Sequence, residues 1–156
     1  MSESEEEILR ADKALVSLVP KRSGAGRFMR GFSWILGGAI LRHFQTGSFL
    51  KSFNKGEVEA GDIKDVVDKT LKTRQLILTE KNLIITYRKG TLRKKDMILG
   101  FPLEYAKSIE KKGSIKKFLN VEFEVVSEEK PVNFYLKIWL KKPEVWLNEL
   151  KRLISP

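Results

Sequence analysis

His43 is the chain's single histidine and there is no cysteine, so a Cys/His nucleophilic pair and thiolate metal sites are excluded. Ser33 lacks a Gly-x-Ser-x-Gly frame. Ser23-Gly24-Ala25-Gly26-Arg27 is glycine-rich but lacks the Gly-Lys-Ser/Thr ending of a phosphate loop. Asp62, Asp65 and Asp68 fall three apart, which reads as a solvated helix face before it reads as a Mg²⁺ site. The expectation is therefore a protein that is not an enzyme, with no catalytic residue, no metal and no cofactor.

Chemistry of another kind is present. The formal net charge is +10, and it is concentrated. Residues 21–56 hold seven bases and no acid, and residues 88–117 hold ten bases against three acids. A surplus of this size favours anionic partners, whether lipid head groups, nucleic acid or acidic protein. In the first block the run from Arg27 through Phe28, Met29, Arg30, Phe32, Trp34, Ile35 and Leu36 to Arg42 mixes cations with aromatics. On a helix Phe28, Phe32, Ile35, Leu36, Ala39 and Ile40 share an apolar face, with Arg27, Arg30 and Arg42 at its margins. Rings at the head-group boundary and cations on lipid phosphate are the arrangement of an interfacial helix. Packing on the barrel as core is the plainer reading of the same face, and oligomerisation or docking of a protein partner is a further one. In the second block Arg88, Lys89, Arg93, Lys94 and Lys95 flank Gly90, which signals a tight turn and a crowded cationic loop. Lys111, Lys112, Lys116 and Lys117 suggest a similar loop. A solvated lysine-rich loop is the plainer reading of both.

These residues need a scaffold. Pro143-Glu144 opens a helix, and Val145, Trp146, Leu147, Leu150, Leu153 and Ile154 recur at helical spacing. Ahead of it lie strand patterns. Gln75 to Thr79 and Leu83 to Tyr87 join through Glu80-Lys81-Asn82 as a hairpin. Phe101 to Lys111 reads as a further strand, and Leu119 to Val125 alternates strictly. Phe134 to Trp139 follows a turn at 128–131. Ala14 to Val19 forms a first strand, and Asp62 to Leu71 reads as helix through Ile63, Val66, Val67 and Leu71. Short strands with one closing helix and no βαβ alternation predict an α+β fold, mainly antiparallel, as a single domain over 1–156.

The stretch Leu76-Ile77-Leu78-Thr79-Glu80-Lys81-Asn82-Leu83-Ile84-Ile85 resembles the hairpin of GRAM and bacterial pleckstrin-homology (PH) domains. Pro102-Leu103-Glu104-Tyr105 with Ile109 is similar to the next strand of that pattern. Trp146 resembles the tryptophan that PH domains pack against the open end of their barrel. The resemblance covers roughly residues 70–156, with 14–19 as a first strand. It implies a PH-like split barrel or twisted sheet capped by a C-terminal helix, with residues 21–70 as a basic, aromatic-rich helical insertion. It also implies a non-catalytic module that binds anionic lipid or a protein partner. The usual phosphate site of such domains lies in the loop this insertion replaces, so no pocket is carried over by residue. The leading expectation is docking on anionic membrane through the 27–53 segment, helped by the 88–95 loop. An adaptor or oligomerising scaffold is the second reading, and nucleic-acid binding the third. No apolar run approaches a membrane span, and the acidic start (Glu3, Glu5, Glu6, Glu7) is unlike a signal peptide. The expected location is cytoplasmic, peripheral at the inner membrane surface in the leading reading.

Overall fold

The computed structural model describes residues 7–21, 58–61, 65–92, 94–125 and 132–154. The turn expected at 128–131 lies outside them, as does most of the 21–70 segment. The described chain forms two five-stranded, mostly antiparallel sheets and one C-terminal helix.

The first sheet comprises β1 (Arg10–Asp12), β3 (Val58–Ala60), β5 (Gln75–Leu78), β6 (Asn82–Lys89) and β7 (Lys95–Pro102), in the order β1-β5-β6-β7-β3. The second comprises β2 (Leu15–Pro20), β4 (Leu71–Lys72), β8 (Ala106–Lys112), β9 (Phe118–Val125) and β10 (Val132–Trp139), in the order β4-β2-β10-β9-β8. Among the described strand pairs β3 against β7 alone is parallel, and a single parallel bridge joins Leu18 to Val67.

The β5–β6 hairpin forms where its sequence places it. Thr79 closes it: its hydroxyl accepts the Asn82 N–H at 3.0 Å, while the Thr79 N–H donates to the Asn82 carbonyl at 2.9 Å. Period-2 alternation fixes the faces. Leu76, Leu83, Ile85, Leu99 and Phe101 join the core from the first sheet, and Val16, Leu18, Val121, Phe134 and Leu136 from the second. Phe123 and Phe134 stack at 5.1 Å between centroids, with Phe101 within 6 Å of both. The opposite face of the first sheet carries Ile77, Ile84 and Ile98, which are also fully buried. That two-sided burial explains the unbroken run Leu83-Ile84-Ile85.

The helix α1 (Pro143–Ile154) begins at its proline and carries Lys151 and Arg152 in its last turn, where cations are favoured. It buries Trp146, Leu147 and Leu150. Trp146 is 0% exposed, and its indole N–H donates to Asp12 Oδ2 at 2.6 Å, tying the last element to the first. Lys111 on β8 pairs with Glu144 in the first turn.

Three readings need correction. The expected strand from Phe101 to Lys111 is broken: Phe101-Pro102 ends β7, Leu103–Tyr105 forms a 3-10 turn, and β8 starts at Ala106. Pro102, with no N–H and φ −61°, ends the ladder there. In the described part of the expected helix at Asp62 to Leu71, Asp65 is in a 3-10 turn and residues 66–71 are not helical. Leu18 donates to the Val66 carbonyl at 2.8 Å and Asp68 donates to the Leu18 carbonyl at 2.8 Å, so this backbone bonds chiefly across to β2, with one long local bond from Lys69 to the Val66 carbonyl at 3.4 Å. Residues 58–60, inside the expected helical insertion, pair as a strand with β7.

Candidate anion-binding cleft

Two strand pairs change sheet at the same place. The chain passes from β1 in the first sheet to β2 in the second through Lys13-Ala14, and from β4 in the second to β5 in the first through Thr73-Arg74. The two crossings are stitched together. The Ala14 N–H donates to Thr73 Oγ1 at 3.1 Å, and the Thr73 hydroxyl returns a bond to the Ala14 carbonyl at 3.0 Å. The Thr73 N–H adds a third, to the same carbonyl at 3.0 Å. Ala14 and Thr73 are buried, so extended backbone turns their neighbours Lys13, Lys72 and Arg74 outward.

The result is a partly open cleft of about 750 Å³ lined by Lys13, Lys72, Thr73, Arg74, Gln75, Arg88 and Lys94. Five of the seven are cations and none is an acid. Lys13, Lys72 and Lys94 have no carboxylate partner among the described residues. Gln75 lies over the strand pair, its N–H donating to Thr86 Oγ1 at 3.2 Å. Arginine forks and lysine point charges are the usual recognition set for phosphate and other oxyanions. Arg74 and Arg88 both donate to one carboxylate oxygen, Asp96 Oδ1, at 2.7 and 3.2 Å. Asp96 stands directly opposite Arg88 in the β6–β7 ladder and is not part of the cleft wall.

The cations singled out in the sequence separate here. Arg88 and Lys94 reach the cleft. Lys89, one residue on, turns to the other face of β6 and donates to Asp65 Oδ1 at 2.8 Å, beside the Tyr87 hydroxyl on Asp65 Oδ2 at 2.5 Å. Lys95 begins β7 and does not line the cleft. Arg88, Lys89 and Lys95 thus belong to strands, and the turn is only residues 90–94. Gly90, at φ +120°, makes that turn possible. At its tip Leu92 is 99% exposed. Arg93 lies outside the described residues, as do Arg27, Phe28, Arg30, Phe32, Trp34, Ile35, Leu36 and Arg42.

Lys13, Lys72 and Arg74 were not legible as site residues. The contact that joins them spans 59 positions. The one local signal is a small residue beside a cation, in Lys13-Ala14 and Lys72-Thr73-Arg74. The second lysine-rich turn gathers no comparable set, since Lys111 pairs with Glu144 and Lys112 lies 3.6 Å from Glu110. Asp65 is engaged by Tyr87 and Lys89, and the described residues contain no cluster suited to a metal ion. No described helix is long and apolar enough to cross a membrane. No family model, no curated protein and no solved structure matches the chain.

Proposed function

We infer that this chain is a non-catalytic binding module of the PH and GRAM kind that docks reversibly on anionic membrane. The observation that carries the reading is the cleft at the sheet-crossing corner, where five cations meet with no acid in the wall. Each Lys or Arg held near an anionic surface contributes about 1 kcal/mol, so such a cluster suits reversible attachment.

Leu92 favours a lipid surface over nucleic acid. A leucine standing free in water beside Lys94 stabilises nothing in the folded chain, but it gains apolar contact once the turn enters the head-group boundary. The run of cations and aromatics at 27–53 adds a second contact of the same chemistry in this reading. The PH-like assignment draws support from the two sheets, the Thr79-closed hairpin and the closing helix with its buried tryptophan.

Co-sedimentation with phosphatidylcholine vesicles, with and without phosphatidylserine, tests the proposal. The expected result is binding to the charged vesicles only, lost when Lys72 and Arg74 are both changed to Glu. Equal partitioning into both vesicle types removes the electrostatic basis. No vesicle binding, together with a concentration-dependent oligomer by light scattering, replaces it with the scaffold reading.

A further inference from the structure

We propose that Asp96 is a positioning residue for anion binding, holding Arg74 and Arg88 in the geometry that receives a lipid phosphate; the inference rests on the membrane-docking reading of the cleft. Asp96 carries the wrong charge for an anion site, and charge alone makes it an obstacle. Its placement argues otherwise. It comes from β7, directly across the ladder from Arg88, so its side chain leaves the sheet on the same face as Arg88, beside the residues that line the cleft. One of its oxygens accepts from Arg74 Nη1 at 2.7 Å and from Arg88 Nε at 3.2 Å.

Two guanidinium groups drawn to a single oxygen repel each other, and the carboxylate between them offsets that repulsion. Each guanidinium has five N–H donors and spends one on Asp96, which leaves the rest for a ligand. Both arginine side chains are about half exposed, at 45% and 52%, so without Asp96 they sample many rotamers. Ordering them at the moment of binding then counts against affinity.

This gives a sign opposite to simple electrostatics. Asp96→Asn adds one positive charge, and a site governed by net charge binds anionic vesicles more tightly after the change. Under the proposal it binds them more weakly, by roughly 3- to 10-fold, the cost of ordering one or two long side chains. Asp96→Glu keeps a carboxylate and recovers most of the loss. When Arg74 and Arg88 are both changed to Gln, Asp96→Asn has no further effect, because Asp96 acts only through them.

Vesicle titrations of these variants at fixed ionic strength, with thermal melts to confirm folding, decide the matter. Asp96→Asn binding as tightly as the native chain or more tightly overturns the positioning role while leaving the cleft standing. A native chain that binds no phosphatidylserine vesicle removes the cleft reading and the positioning role together.

Discussion

Two side-chain contacts set the architecture's tolerances. Trp146 is fully buried and its N–H has a carboxylate partner in Asp12. Asp12→Ala removes that acceptor and is expected to lower stability by about 1–3 kcal/mol. Trp146→Ala adds a cavity and costs about 3–5 kcal/mol. Chemical denaturation of both variants checks the order; equal and negligible losses would mean the helix contributes little to closing the fold. Thr73→Val keeps the side-chain volume but removes the hydroxyl that serves both the N–H and the carbonyl of Ala14. It is expected to cost about 1–3 kcal/mol and to weaken vesicle binding, since it loosens the seam that brings Lys13 beside Lys72. Of these contacts the sequence announces only Trp146, at helical spacing behind a proline. A hydroxyl bonding 59 residues away has no local signature.

At the scale of elements, the β6–β7 turn matters most for function. Gly90 supplies its positive φ, Lys94 faces the cleft, and Leu92 stands free. Leu92→Ser removes apolar area that folding does not use. The melting temperature should hold while affinity for phosphatidylserine vesicles falls by roughly 10- to 100-fold, the range set by losing one buried leucine-sized contact. A fall in melting temperature instead would place Leu92 in the fold rather than at the membrane. A second element, the β3–β7 pairing, runs into Gly61, whose N–H donates to the Ile98 carbonyl at 2.6 Å. A Cβ there would stand 2.6 Å from the Tyr87 hydroxyl. Gly61→Ala must push Tyr87 from Asp65, and a loss of stability of about 1–3 kcal/mol is expected. Strands with one wet face, such as β9 and β10, are legible because polar and apolar residues alternate. β7 is not, since Met97-Ile98-Leu99 is buried on both faces and its start, Lys95-Asp96, looks like loop.

Over the whole molecule, the fold class follows from the order of short strands and one amphipathic helix, and that much can be read from residues alone. The cleft cannot. Its cations come from positions 13, 72, 74, 88 and 94, spread over two sheet crossings, a strand end and a turn. A linear reading gathers neighbours such as Arg88 and Lys89, which alternation sends to opposite faces, and misses residues that only the two crossings unite. The acid-free block at 21–56 is legible as charge, and its residues from 22 to 56 lie outside the described chain.

Backbone amide shifts of the isotope-labelled protein, recorded as nanodiscs of phosphatidylcholine with phosphatidylserine are added, test the central claim most directly. Changes centred on Lys13, Lys72 to Gln75, Arg88 and the turn at 90–94, absent with neutral discs, are the result expected. A cleft whose amides stay unmoved while charged discs bind elsewhere would contradict it.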